Sequence, residues 1–105
     1  MPRWLPRVLA RVRRLAAQGR VRFTLKTLQE MRALDLDADD AVEVLRGLAA
    51  GDSAGRLAST ETAEWMYVFK PRIAEATLYL KLVVRTDCIV VSFHEEAGND
   101  DPDEG

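Results

Sequence analysis

Residues 65–96 constrain the fold of this chain more than any other segment, because apolar and polar residues alternate along most of their length. A period of two is typical of β-strands that bury one face and expose the other. Breaks at Ala74-Glu75 and around Thr86-Asp87 divide the segment into three stretches. The pattern therefore predicts three antiparallel strands joined by two hairpin turns.

The pairing that buries the large aliphatic residues decides which side chains share a face. A slip of one residue would turn every side chain of a strand to the opposite face. It places Leu80 opposite Phe93 on the buried face and needs an even-length second turn. It also places Tyr79 opposite His94 on the other face, which we call the polar face. The other predicted pairs are Leu82–Val91, Val84–Ile89, Lys81–Ser92, Phe69–Leu80, Tyr67–Leu82, Trp65–Val84 and Lys70–Tyr79. The polar face is predicted to carry Met66, Val68, Lys70, Arg72, Tyr79, Lys81, Ser92 and His94.

A first helix is predicted over residues 5–15, where apolar residues recur three and four positions apart, and Gly19 ends it. Its solvent side carries a row of arginines: Arg3, Arg7, Arg11 and Arg14. We interpret this row first as a solvated helix face. The sequence leaves two alternatives open, a stripe that grips phosphates and a helix that lies on a membrane surface.

A short strand over residues 20–23 then precedes a second helix capped by Thr24. A third helix begins at Asp37 or Asp39, because carboxylates are favoured at a helix start. The inward positions predicted for these two helices are Leu25, Leu28, Met31, Leu34, Val42, Leu45 and Leu48. Residues 51–62 are rich in small side chains and form either a loop or a poorly patterned strand. The chain is therefore expected to be an α+β domain with N-terminal helices packed on one face of a small antiparallel sheet.

Length and charge bound the domain organisation. The 105 residues fit one domain, residues 1–96, followed by an acidic tail, residues 97–105, whose composition predicts disorder. Without that tail the net charge changes from −2 to +2, 15 basic minus 13 acidic residues, which is compatible with nucleic acid. No apolar run reaches transmembrane length, so we expect a soluble, cytoplasmic protein. A single cysteine, Cys88, excludes an internal disulfide, and no cysteine or histidine cluster predicts a metal.

The strand motifs resemble those of the motility quorum-sensing regulator toxins, the MqsR family. The resemblance lies in residues 65–73 (WMYVFKPRI), 78–84 (LYLKLVV) and 89–93 (IVVSF), with weaker agreement in residues 12–15, 19–22, 34–37 and 47–48. It implies a RelE-like ribonuclease fold and the toxin of a type II toxin–antitoxin pair. Such a toxin is an endoribonuclease that cleaves mRNA without a cofactor and without requiring the ribosome. The implied protein partner is a neutralising antitoxin encoded beside it.

The resemblance also implies an active site, which transfers position by position. Tyr79 matches the tyrosine of the family, His94 stands where the family has a lysine, and Arg56 best matches an upstream lysine. Met66 stands where the family has a glutamine, and its thioether cannot form a strong hydrogen bond. Catalytic roles are therefore predicted for Tyr79, His94 and Arg56, and substrate binding for Lys70, Arg72, Lys81 and Met66.

Cleavage of RNA by its own 2′-hydroxyl explains why these residue types matter. The reaction needs a group that takes the hydroxyl proton, cations for the charge that builds on phosphorus, and an acid for the departing 5′-oxygen. An imidazole titrates near neutrality and can serve either proton-transfer role, so His94 is compatible with activity. Each residue also has a plainer interpretation, with Arg56 and His94 as surface side chains and Tyr79 as a cover for the sheet. A competing hypothesis is a non-catalytic module that binds RNA or the antitoxin, which Met66 favours and His94 opposes.

Overall fold

The computed structural model describes residues 1–96, and the predicted acidic tail lies outside them. The helices are α1 (Leu5–Ala17), α2 (Leu25–Ala33) and α3 (Ala38–Arg46), with a single 3-10 turn at Ala50–Asp52. The strands are β1 (Val21–Phe23), β2 (Ser53–Ala58), β3 (Trp65–Phe69), β4 (Arg72–Ile73), β5 (Ala76–Val84) and β6 (Cys88–Glu95). The α+β class is confirmed. None of the described helices is long and apolar enough to cross a membrane.

The sheet has the strand order β1-β6-β5-β3-β2, and β4 pairs with the first residues of β5. It is mixed rather than purely antiparallel, because β1 runs parallel to β6 and pairs Val21 with Cys88. Only the first three residues of β6 gain a partner from β1, so the outer edge of β6 beyond Val90 lacks a neighbouring strand within the described residues. The side chains of α2 cover that edge.

Helix α1 packs on one face of the sheet through the apolar positions that the sequence predicts. Its buried residues are Leu5, Leu9, Val12, Leu15 and Ala16. The four arginines of the predicted row are exposed, and Arg11 donates a hydrogen bond to the backbone oxygen of Arg85. Gly19 adopts a φ of 71° directly after the helix, a conformation that glycine reaches at little cost. The row therefore faces solvent, as each of the three interpretations requires.

Helix α2 buries Met31 as predicted, and Leu34 after it is partly buried, but the first two predicted leucines do not face inward. Thr24 caps it as expected, accepting a hydrogen bond from the backbone N–H of Thr27. Leu25 and Leu28 are 72% and 41% exposed, however, and Thr27 and Met31 are the buried residues. The reason is a hydrogen bond that hydropathy cannot reveal: the Thr27 hydroxyl donates to the Val90 carbonyl at 2.8 Å, which makes a polar residue acceptable inside.

The N-cap of helix α3 is Asp37, one of the two predicted caps. Asp37 and Asp40 form a reciprocal capping box, each carboxylate accepting from the backbone N–H of the other residue. Ala41 and Leu45 are the buried positions of the helix, and Leu48 is buried just after it. Predicted Val42 is only partly buried. Together α1 and α3 cover one face of the sheet, which we call the helix-covered face.

The predicted sheet register is confirmed near the middle of the hairpins and wrong near the second turn. Tyr79 pairs with His94, Leu80 with Phe93 and Lys81 with Ser92, as do Phe69 with Leu80 and Tyr67 with Leu82. The second turn has three residues rather than an even number, so Val84 pairs with Cys88 and Leu82 with Val90. An extra residue in β6, Val91, forms a bulge that compensates for the odd turn. Val90 and Cys88 therefore enter the core in place of Val91 and Ile89.

Candidate active site

Tyr79 and His94 form the centre of the polar face. They are direct cross-strand partners on β5 and β6, and their rings stack with centroids 5.1 Å apart and planes inclined by 12°. The His94 Nδ1 atom lies 2.9 Å from the backbone oxygen of Glu95. Because a carbonyl oxygen only accepts hydrogen bonds, this contact assigns a proton to Nδ1 and leaves Nε2 free for proton transfer.

Two lysines flank the tyrosine ring. The Nζ atoms of Lys70 and Lys81 lie 5.9 and 6.0 Å from the centroid of Tyr79, within the range of a cation–π contact. Lys70 also forms an ion pair with Glu96 at 2.7 Å. Lys81 is directly opposite Ser92, and residues 1–96 supply no ion-pair partner for it. The Lys81 charge is consequently available to a ligand.

Arg72 lies at the end of the same face. It pairs with Thr77 in the β4–β5 hairpin, two residues along β5 from Tyr79. Side chains two positions apart on a strand share a face about 6.6 Å apart. The hairpin turns at Ala74 and Glu75 as predicted, with Ala74 at a φ of 55°. Arg72 is exposed, so it extends the cationic surface without belonging to its centre.

The structure brings two residues to the site that sequence reasoning missed. Lys26 donates through Nζ to the hydroxyl of Ser92 and to the backbone oxygen of Val91, both at 3.1 Å. Glu30, one helical turn later, pairs with Lys26 at 3.0 Å and accepts the Phe93 backbone N–H at 2.9 Å. The available signal was the spacing of four between a lysine and a glutamate in a helix that follows an edge strand.

The electrostatics of Glu30 favour its charged form. Partial burial alone would raise the pKa of this carboxyl, but hydrogen bonds from the Phe93 N–H and from Lys26, together with the nearby His94, lower it below its ordinary value. Glu30 therefore remains an anion at neutral pH. At the unpaired edge of β6, next to His94, Glu30 accepts the Phe93 N–H, a hydrogen bond that a further strand would otherwise supply.

An open cavity of about 330 Å³ lies at the Lys81–Ser92 pair, the next pair after Tyr79–His94 on the polar face. Its lining comes from α2, the β2–β3 loop, β3, β5 and β6, and includes Lys26, Met66, Lys81, Val83, Val91 and Ser92. The bulge at Val91 is what turns both Val91 and Ser92 towards this cavity, opposite Lys81. Met66 lies on the polar face as predicted and forms part of the cavity wall.

Arg56 is not brought to this site. It pairs with Tyr67 on β3, and its guanidinium carbon lies 3.8 Å from the ring centroid of Trp65 and 5.1 Å from that of Trp4. Trp4 in turn contacts Tyr67, with centroids 5.3 Å apart. This Trp4–Arg56–Trp65 cluster is on the helix-covered face, so the structure separates Arg56 from Tyr79 and His94.

A bulge in β2 explains the placement of Arg56. Ser53 pairs with Phe69 and Arg56 with Tyr67, so β2 has one residue more than β3 between those pairs. Gly55 adopts a φ of 101° there, a conformation that residues with a Cβ rarely reach. Without the extra residue Arg56 would stand opposite Met66 on the polar face. A shift of one residue thus reverses the face of the arginine.

Cys88 takes no part in the site. It is fully buried in the core beside the β5–β6 turn, and burial raises the pKa of its thiol to about 12. A thiol with so high a pKa stays protonated and unreactive at neutral pH. No cluster of three histidine, cysteine or acidic side chains suited to a metal occurs within residues 1–96.

The arrangement joins proton transfer to charge stabilisation. The imidazole of His94 and the phenol of Tyr79 can exchange protons with a bound molecule, and Lys81, which has no ion-pair partner within residues 1–96, places a positive charge beside the tyrosine ring. Anionic groups are therefore the ligands that suit this surface. The stacked rings also offer an aromatic edge to a planar ligand.

Comparison with known proteins gives the family. The profile of a family described as motility quorum-sensing regulator, toxin of MqsA, matches residues 7–95. The chain is also 33% identical over 89 residues to the mRNA interferase toxin MqsR of Escherichia coli strain K12, an alignment that covers 84% of this chain and 91% of that protein. The matched region contains every strand, α2 and α3 entirely, and nearly all of α1. The chain belongs to the MqsR family of toxins.

Proposed function

We propose that this protein is the toxin of a type II toxin–antitoxin pair and an endoribonuclease that cleaves mRNA through the 2′-hydroxyl of the RNA. The observation that carries the proposal is the stacked Tyr79–His94 pair with two lysine ammonium groups about 6 Å from the centre of the tyrosine ring. The related E. coli protein is named an mRNA interferase toxin, which supports the same activity. All groups that the reaction needs are side chains of the polar face, so the proposed reaction uses no metal or other cofactor.

In the proposed reaction the 2′-oxygen attacks the adjacent phosphorus and the bond from phosphorus to the 5′-oxygen breaks. His94 Nε2 and the Tyr79 hydroxyl are the two proton-transfer groups: one takes the proton of the 2′-hydroxyl and the other supplies a proton to the departing 5′-oxygen. The products are a 2′,3′-cyclic phosphate and a 5′-hydroxyl end. Atoms and charges balance without an added reactant.

Cations stabilise the charge that builds on the phosphorane in this proposal. Lys70 and Lys81 both lie near the Tyr79 ring, and Arg72, beside Thr77 of β5, binds the backbone of the RNA. Arg56 is left out of the chemistry because it is held against two indole rings on the other face. The proposal therefore assigns no catalytic role to Arg56 and relies on the lysines of the polar face for charge stabilisation.

The proposed partners are mRNA and an antitoxin. The family description names its members as toxins of MqsA, and we infer a corresponding antitoxin for this chain, encoded next to it. Because mRNA is the substrate, the proposed place of action is the cytoplasm. One observation favours a second candidate, a non-catalytic module that binds RNA or antitoxin: Met66 lines the cavity, where a side chain able to form strong hydrogen bonds would be expected in an active enzyme.

The test is cleavage of a defined RNA by the purified protein in the presence of a chelator, followed by analysis of the new ends. We expect cleavage with 2′,3′-cyclic phosphate and 5′-hydroxyl ends, and no cleavage at a mapped position that carries a single 2′-deoxynucleotide. RNA left whole by a folded protein that binds its antitoxin would favour the non-catalytic module. Ends with a 5′-phosphate, or cleavage at the deoxynucleotide, would contradict attack by the 2′-hydroxyl.

A further inference from the structure

The cavity beside the stacked pair contains a buried donor that nothing in residues 1–96 satisfies. Ser92 is only 6% exposed, and its hydroxyl oxygen accepts a hydrogen bond from Lys26 Nζ. A hydroxyl group can also donate, but the hydrogen of Ser92 has no acceptor among the described residues. Buried donors are nearly always paired, so the Ser92 hydroxyl can donate to an acceptor that enters the open cavity, either water or a ligand atom.

We propose that this cavity is a nucleotide subsite, which holds the phosphate and base next to the cleaved bond of a single-stranded RNA. The inference rests on the proposed function and gives that function a second contact with its substrate. In the subsite, the Ser92 hydroxyl and the Lys81 ammonium group bind the phosphate, and Lys26, whose three N–H groups already serve Val91, Ser92 and Glu30, positions the Ser92 hydroxyl. All three line the cavity, and Lys81 stands directly opposite Ser92 across the two strands.

The location of the subsite follows from strand geometry. Ser92 and His94 are two residues apart on β6 and face the same side, so their Cα atoms are separated by about 6.6 Å. That separation is of the order of one nucleotide step in an extended single strand. Lys81 contacts the Tyr79 ring as well as the cavity, and it therefore lies between the cleaved phosphate and the neighbouring one.

Apolar side chains give the base a surface. Met66, Val83 and Val91 line the cavity beside the polar groups, and Val83 is buried. A volume of about 330 Å³ falls at the lower end of the range for small-molecule sites, roughly 300–1,000 Å³, and fits one nucleotide rather than a folded RNA element. Polarizable Met66 suits contact with the flat face of a base.

An ion pair between Glu64 and Arg85 forms part of the cavity wall. Two of the Arg85 side-chain nitrogens, Nε and Nη2, donate to the Glu64 carboxylate at 2.8 and 2.7 Å. The pair holds the β2–β3 loop to the β5–β6 turn, and it lowers the pKa of Glu64 while raising that of Arg85. Because Glu64 pairs with Arg85 and Glu30 pairs with Lys26, Lys81 is the cation of the cavity wall that has no ion-pair partner within residues 1–96.

The experiment measures binding without cleavage. A fluorescent single-stranded oligonucleotide with 2′-fluoro sugars retains the phosphates and bases of RNA but has no 2′-hydroxyl to attack. Its affinity is measured by anisotropy across a range of salt concentrations for the wild type and for Lys26→Gln, Lys81→Gln and Ser92→Ala. The matched control is Arg14→Gln, which removes an exposed cation of α1 on the helix-covered side.

We expect Lys81→Gln to bind about tenfold more weakly at low salt and to lower the slope of log affinity against log salt by about 0.7, the value for one phosphate contact in a single strand. Lys26→Gln should weaken binding because the Ser92 hydroxyl loses the group that positions it. Ser92→Ala should weaken binding without changing the slope, because it removes a donor and no charge. Arg14→Gln should match the wild type. Thermal melts verify folding, and Ser92→Ala keeps the test valid if Lys26→Gln destabilises α2.

The two proposals fail in different ways. Wild-type affinity and slope in folded Lys26→Gln and Lys81→Gln would overturn the subsite, even if the wild type cleaves RNA. A wild type that never cleaves RNA, but whose binding depends on Lys26, Lys81 and Ser92, would overturn the proposed activity and leave the subsite standing. An Arg14→Gln defect equal to that of the lysine variants would also overturn the subsite, because binding would then follow total charge.

Discussion

Cations lie against aromatic rings on both faces of the sheet, but their surroundings differ. On the helix-covered face, Arg56 contacts Trp65 at 3.8 Å and Trp4 at 5.1 Å. On the polar face, Lys81 approaches one ring, Tyr79, only to 6.0 Å and borders an open cavity. The first contact involves the flat guanidinium with two indole rings, whereas the second leaves an ammonium group accessible.

This difference teaches that strand register, rather than residue type, decides what a cation does in this fold. Arg56 is one bulge away from the polar face, and the extra residue beside Gly55 commits it to packing. The packed arginine connects the start of α1 to β2 and β3 through Trp4 and Trp65. On the polar face, Lys81 contributes little to the core and has no ion-pair partner within residues 1–96, so it is available for binding. The two faces should accordingly respond in opposite ways to mutation.

Two substitutions, Arg56→Lys and Glu30→Gln, test this comparison through the free energy of unfolding, and the larger effect is expected at Arg56. Arg56→Lys keeps the charge but removes the planar group that stacks on the indole rings. We expect a loss of about 1 kcal/mol in the free energy of unfolding, the range of a partly desolvated cation–π contact, with RNA cleavage unchanged. Urea unfolding and cleavage rates measure both.

Arg46→Ala is the control for that experiment, because Arg46 is an exposed arginine whose only ion pair is a surface contact with Glu43 at 3.6 Å within the described residues. Its effect on unfolding should stay within about 0.5 kcal/mol. A folded Arg56→Lys protein of wild-type stability that loses cleavage tenfold would return Arg56 to the active site and break the comparison between the two faces.

A smaller effect is expected at Glu30, on the polar side of the β6 edge. The pKa of Glu30 is lowered in the folded protein, so its charge contributes stability above its ordinary pKa, and that contribution is lost as the pH falls through the folded value. Glu30→Gln should cost roughly 0.5–1 kcal/mol at pH 7. The difference from the wild type should shrink as the pH is lowered below about 4.5.

Denaturant unfolding at several pH values measures this effect. Glu95→Gln is a suitable control, because Glu95 is an exposed neighbour on the same strand and carries no described ion pair. A Glu30→Gln deficit that is constant from pH 7 to pH 3 would show that the carboxylate charge contributes nothing. The helix α2 would then cover the β6 edge through neutral hydrogen bonds alone.

The sequence predicts the centre of the site because two simple patterns agree there. Alternation around Leu80 and Phe93 demands that Tyr79 and His94 share the opposite face, and burial of two large side chains makes that register strongly preferred. The same alternation fails near the second turn. The three-residue turn shifts the pairing of β5 and β6 by one residue, and the bulge at Val91 shifts it back. The predicted Lys81–Ser92 pair is therefore correct.

The remaining parts of the site could not be predicted from local patterns. Arg56 depends on a bulge whose only local sign is Gly55, and a lone glycine does not reveal whether a strand gains a residue. Strand β1 runs parallel to β6, and its last residue, Phe23, pairs with Val90. Helix α2 therefore covers the edge of β6 beyond Val90, which is how Lys26 and Glu30 reach the site. That arrangement joins segments more than sixty residues apart, which no periodicity of one segment reports.

Single-turnover cleavage of RNA by His94→Ala tests the central claim most directly, because His94 is the imidazole at the centre of the polar face. We predict a rate on the order of a hundredfold or more below that of the wild type, the usual contribution of a proton-transfer group, and a reduced rate for Tyr79→Phe. Glu95→Gln, one residue further on the same strand, should cleave at the wild-type rate. Undiminished cleavage by folded His94→Ala would contradict the claim that the Tyr79–His94 pair performs the chemistry.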